Sequence, residues 1–172
     1  MKRKQKDSIL IICEGDDDQY VLEHFRRIYT DRRLLKVDVI PAGGGSVGIL
    51  IKKAENFLAS RDYNSVYAVF DTDREEWLDE SSQDDLVNKA GGSGISCFPL
   101  GPLCLEGFLL SVLNVKAEST SQRSKSKLYK RFDIRDKSIQ KLLSRLDKSL
   151  LERRRREFEL LDELLNIFEC AP

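Results

Sequence analysis

The chain has 172 residues, 41% hydrophobic and 34% charged, and its 29 basic and 29 acidic side chains leave no net charge. That composition suits one well-buried soluble domain with a small appendage and excludes a disordered chain. No apolar run approaches the roughly 20 residues of a bilayer span, so no membrane partner is expected.

The basic start Met1-Lys-Arg-Lys-Gln-Lys6 leads into a short apolar run and then acids, which is not a secretory signal. A cytoplasmic location is expected. The cysteines (Cys13, Cys97, Cys104, Cys170) show no CxxC pairing, so neither zinc nor a disulfide framework is expected. Ser8-Ile-Leu-Ile-Ile-Cys13 is β-branched, bounded by turn residues, and predicts a buried strand that stops at Glu14. Gly15 allows a tight turn. Asp16, Asp17 and Asp18 then charge the first turn of a helix over about 17–29, complementing its dipole. Tyr20, Val21, Phe25 and Ile28 form its inward face, and His24 reads as a surface histidine.

Residues 34–40 alternate as a second strand, and an amphipathic helix follows over about 46–60. Between them, Gly43, Gly44, Gly45 and Ser46 make a strand-to-helix turn. Its amides suit a phosphate, or its glycines merely supply positive φ. It matches neither GxxxxGK[ST] nor GxGxxG. Val66-Tyr-Ala-Val-Phe70 is a third strand (65–71) that stops at Asp71, with Asp73 two residues on. A polar helix over about 80–90, ended by Gly91 to Gly94, precedes a fourth strand at 95–99. The order β-α-β-α-β-α-β predicts a Rossmann-like α/β fold, a four-stranded, mostly parallel sheet flanked by helices.

Parallel strands put their carboxyl ends along one edge, where open α/β sheets bind ligands. Glu14, Asp71 and Asp73 meet there and would repel one another unless a cation, normally hydrated Mg²⁺, lies between them. Glu106 is the lone charge in an apolar helix over about 104–113, and it needs a metal, a salt bridge or solvent as its partner.

Residues 114–124 are polar and Ser-rich, a candidate mobile loop. Helices are expected over about 136–147 and 148–169, the second with a Leu161, Leu164, Leu165, Phe168 stripe. That stripe is expected to pack on the sheet rather than pair two copies as a dimer. Residues 120–156 hold fourteen Lys/Arg against four Asp/Glu, which suits phosphate or a solvated, salt-bridged tail. Arg153 to Arg156 are consecutive and point around the helix. The expected division is a catalytic domain over 1–113, with a basic loop and C-terminal helical extension over 114–172.

Glu14-Gly15-x-x-Asp18 after the first strand and Asp71-x-Asp73 after the third resemble the TOPRIM (topoisomerase–primase) superfamily over about residues 8–113. Cys104-Leu105-Glu106-Gly107-Phe108-Leu109-Leu110 looks like a segment of RloB-like proteins, relatives of the OLD-type nucleases, although Gly107-Phe108 stands where they more often carry an aromatic pair. The resemblance implies a metal-dependent nuclease with catalytic Glu14, Asp71, Asp73 and Glu106. These, with Asp18, would hold Mg²⁺ or Mn²⁺, and the substrate would be DNA or RNA. It also implies an assisting lysine, for which Lys125, Lys127 and Lys130 compete, and with Arg131 these form the expected nucleic-acid-binding set. A role in phage defence beside a separate ATPase follows by the same analogy, since this chain has no Walker A sequence. Tyr129 is the only tyrosine of the basic segment and no gate domains accompany it, so DNA relaxation is not expected. Two other readings compete: a non-catalytic TOPRIM module that binds nucleic acid or a partner, and a phospho-acceptor receiver domain built on Asp16–Asp18 and Asp71.

Overall fold

The computed structural model describes residues 7–74, 77, 79–134 and 138–169. The basic start 1–6, Cys170 and the first part of the helix expected over 136–147 lie outside the described residues. Four strands, β1 (Asp7–Cys13), β2 (Leu35–Pro41), β3 (Ser65–Asp71) and β4 (Ile95–Leu100), pair in the order β2-β1-β3-β4. All three pairings are parallel. The sequence left room for an antiparallel member; the described sheet has none.

Helices α1 (Asp16–Tyr29), α2 (Val47–Ser60) and α3 (Glu80–Gly92) make the crossovers. Period-two alternation in doubly buried strands assigns each residue to a layer. Ile9, Ile11 and Cys13 of β1 join α1 in one core, and Leu10 and Ile12 join α2 in the other. The strand therefore reads as unbroken apolar sequence because neither of its faces meets water.

Beyond β4 come α4 (Leu105–Val112), α5 (Ser121–Arg131), α6 (Gln140–Leu143), α7 (Lys148–Arg154) and α8 (Glu159–Glu169). Leu161, Leu164, Leu165 and Phe168 are fully buried in the α1-side core, so the apolar stripe packs within the chain as expected. Thr30 Oγ donates to the Phe168 carbonyl at 3.1 Å and ties the end of α1 to α8.

Five expectations change. Tyr20, expected on the inward face of the first helix, is exposed, and of the helix expected over 136–147 the described residues form only the short α6. The expected loop 114–124 ends early, because Thr120 caps α5 by accepting the Arg123 N–H (3.3 Å). A Ser/Thr cluster can be an N-cap and first turn as readily as a loop. The helix expected over 148–169 is two helices, with a turn that takes Phe158 to 5.6 Å from Phe108, ring centroid to centroid. Arg154 then reaches back to the end of α4, donating to the Val112 (3.1 Å) and Ser111 (2.9 Å) carbonyls. Arg155 binds Asp162, Asn166 and Glu169. Two of the four consecutive arginines thus brace the fold. His24 is half-buried rather than superficial, with Nε2 2.8 Å from the Leu146 carbonyl. No helix among the described residues is long and apolar enough to cross a membrane.

Candidate metal centre

β1 pairs with β2 on one side and β3 on the other, so the crossovers diverge at the carboxyl ends of β1 and β3. That divergence opens the crevice in which open α/β sheets place their ligands. Glu14 is the first residue after β1, and Asp71 is the last of β3. The Asp71 N–H donates to Glu14 Oε1 at 2.8 Å, so the two strand ends are stitched through these acids. Asp71 Oδ1 accepts the Leu105 N–H (2.9 Å) from the first turn of α4, which also carries buried Glu106. Asp18, in the first turn of α1, is buried and accepts the Gly15 N–H at 3.0 Å. Asp73 is held by the Leu103 carbonyl, which accepts its N–H at 2.9 Å, and by the Ser121 hydroxyl, which donates to Oδ2.

Two cations enter this group. Arg74 forks onto Glu14, with Nε 3.0 Å from Oε1 and Nη2 on Oε2. Lys125 Nζ lies 3.1 Å from Glu106 Oε1. Among the open partners for Glu106, the structure supplies a salt bridge. Among the competing lysines, it brings Lys125 to the carboxylates. Lys127 is instead bound to Glu118 (2.6 Å) and the Lys116 carbonyl (2.9 Å), and Lys130 and Arg131 are exposed at the far end of α5. Ser121 and Lys125 are four residues apart on one face of that helix, so α5 lies across the acidic edge as a strap.

The glycine turn does lie at this edge. The Gly43 (3.1 Å) and Gly44 (2.8 Å) N–H groups donate to the Glu14 carbonyl, which ties the turn to the end of β1. Gly43, Gly44 and Gly45 all have positive φ, the conformation that glycine adopts freely.

Negative charge outweighs positive charge here, and the carboxyls respond. Burial pushes Asp71 up to about 8, the Asp18 and Asp73 charges add to it, and the Leu105 N–H opposes it. Asp18 is pushed up to about 6 by burial against the pull of the Gly15 N–H, with Glu106 and Asp17 adding. Asp17 is also raised, by burial first, against the nearby Lys125. Burial opposes the charge on Lys125, but Glu106 outweighs it and raises its pKa.

As the side chains stand, no group of three or more His, Cys, Asp or Glu among the described residues is gathered in ligating geometry. The donor set nevertheless fits a hard divalent cation. It offers carboxylate oxygens, two of them on acids whose pKa is raised, by burial first and by neighbouring acids second. The adjacent thiols do not compete: burial raises Cys13 strongly and pushes Cys104 up to about 12, so neither supplies a soft thiolate.

The chain matches no protein-family model, no curated protein and no solved structure.

Arg74 and Ser121 were not singled out by the sequence. Arg74 directly follows Asp73, and a base beside paired acids at a strand end was the available signal. Ser121 carried none, because its partner Asp73 is 48 residues away.

The raised carboxyls set a pH dependence. An acid with a folded pKa above its unfolded value of 3.8 contributes stability in full below 3.8 and loses it as pH rises through the folded value. The thermal midpoint of the metal-free protein should therefore fall between about pH 4 and about pH 8, through Asp18 and Asp71 together up to about 6 and through Asp71 alone above it. Asp71→Asn should flatten the upper part of that fall. Identical slopes for the two proteins in scanning calorimetry would rule out Asp71 as the source.

Proposed function

We propose that this chain is a divalent-metal-dependent nuclease of the TOPRIM type, hydrolysing phosphodiester bonds in DNA or RNA. The observation that carries the reading is the convergence of Glu14, Asp18, Asp71, Asp73 and Glu106 at the crevice between β1 and β3. Four separate elements deliver these acids, and three of them, Glu14, Asp18 and Glu106, are buried there. Glu14, Asp71 and Asp73 would hold one Mg²⁺ or Mn²⁺, with Asp18 and Glu106 toward a second. Such an ion, when bound, would supply a water of lowered pKa and positive charge against the phosphate. Lys125, already at Glu106, supplies a positive charge for the scissile phosphate, and Lys130 and Arg131 extend the basic surface along α5. The RloB-like and OLD-type resemblance extends the proposal to phage defence in the cytoplasm, beside a separate ATPase.

A second reading, a non-catalytic module that binds nucleic acid or a partner, is favoured by the ion pairs on Glu14 and Glu106, which neutralise both acids without a metal. One experiment separates the two. Supercoiled plasmid, single-stranded DNA and tRNA are incubated with the protein in Mg²⁺, Mn²⁺, Ca²⁺ or EDTA. Cleavage of at least one substrate in Mg²⁺ or Mn²⁺, lost in EDTA and in Glu14→Gln, is the expected result. Retention of nucleic acid without cleavage in any divalent ion would establish the binding module instead, and cleavage that survives EDTA would sink the metal mechanism.

A further inference from the structure

Glu14 and Arg74 form the closest ion pair at the acidic edge, yet the partners are unequally placed. The Glu14 side chain is 7% exposed and that of Arg74 is 38% exposed. The carboxylate is also anchored independently of the arginine, because Oε1 accepts the Asp71 N–H and the Glu14 carbonyl accepts the Gly43 and Gly44 N–H groups. Arg74 can therefore leave Glu14 without the acid moving, and solvent or a ligand can reach it.

A dication bound to Glu14 would repel a guanidinium on the same two oxygens. The released fork would lie beside the metal, one residue from Asp73. A guanidinium fork that fits a carboxylate also fits two non-bridging oxygens of a phosphodiester.

We propose that Arg74 is an exchangeable counter-cation: it neutralises Glu14 in the metal-free protein, yields that carboxylate to the divalent ion, and then grips the substrate phosphate. This rests on the metal-centre reading above and adds to it the residue that couples metal loading to substrate binding. Lys125 differs: its 3.1 Å contact is with Glu106 and is made from the α5 strap.

The test measures Mn²⁺ binding to the metal-free protein by the loss of the free-ion electron paramagnetic resonance signal, and oligonucleotide binding in Ca²⁺. Arg74→Gln should tighten Mn²⁺ binding about tenfold, the scale of a lost charge-assisted hydrogen-bonded competitor. The same variant should weaken oligonucleotide binding and slow cleavage roughly a hundredfold. Arg74→Lys, which keeps the charge without the fork, should leave Mn²⁺ affinity near that of the native protein while still weakening the oligonucleotide.

Unchanged or weaker Mn²⁺ binding in Arg74→Gln, with the native protein binding Mn²⁺ normally, overturns the exchange alone. Tighter Mn²⁺ binding with undiminished oligonucleotide binding overturns the phosphate grip. A native protein that binds no Mn²⁺, and that is indifferent to Glu14→Gln, overturns the metal centre and this inference together.

Discussion

Asp71→Asn is expected to abolish metal-dependent cleavage while leaving the fold intact. Asp71 stands at the middle of the acidic edge: its N–H reaches Glu14, its Oδ1 receives the Leu105 N–H, and it feels the charges of Asp18, Asp73 and Glu106. The amide keeps an oxygen for the Leu105 N–H but removes the charge that a cation would neutralise. A loss on the order of 10³-fold in rate is expected, equivalent to about 4 kcal/mol at 1.36 kcal/mol per decade. Metal-free stability should move the other way above pH 8, because the native carboxyl must ionise there beside other acids and the amide cannot. The pairing of lost activity with gained stability is diagnostic, since a merely misfolded variant would lose both. Initial rates at saturating Mn²⁺ and thermal midpoints at pH 9 measure the two arms, and a variant that retains a tenth of native activity would falsify the role assigned to Asp71.

Gly107→Ala is the second large effect, and its sign runs against helix propensity. Inside a helix, alanine is normally favoured over glycine by about 1 kcal/mol. At Gly107, a Cβ would stand 2.1 Å from the Pro102 carbonyl oxygen and 3.3 Å from its carbon, and both atoms belong to the backbone. No side chain can rotate out of the way, so α4 or the loop before it must shift. Overpacking of this kind costs about 3 kcal/mol, a fall of roughly 6–12 °C in thermal midpoint at this chain length. The shift would also displace Leu105 and Glu106, and with them the N–H held by Asp71 and the partner of Lys125. Gly91→Ala is the control, a helical glycine whose added Cβ would meet nothing within 4 Å. It should be neutral or stabilising. Equal midpoints for the two variants would disprove the close approach of α4 to Pro102. In this chain the position has no room for any side chain.

The strands were legible in the sequence wherever the physics is local. Ser8–Cys13 and Ser65–Asp71 read as strands because burial on both faces leaves an unbroken apolar run with polar residues only at its ends. The same locality marked Glu14 and Asp71, since an acid that ends such a run must stand at the edge of the sheet. The break between α7 and α8 was not legible, because the sequence keeps its helical period across Arg155–Phe158 with neither Gly nor Pro to interrupt it. Ser119 to Ser121 looked like a loop because capping residues and loop residues have the same composition. Gly107 gave no warning of its close contact, because a missing side chain reports nothing about what fills its place.

By itself, then, the amino-acid order determined the α/β alternation, the ends of the strands and the positions of the first acids, all set by runs and turns within a few residues. Only the tertiary structure decided what each acid faces. Arg74 reaches Glu14 across 60 residues, Ser121 reaches Asp73 across 48, and Lys125 meets Glu106 only because α5 folds back over the sheet edge. Electrostatic partnership depends on distance in space, and a charge carries no mark in the sequence of the opposite charge that the fold will bring to it.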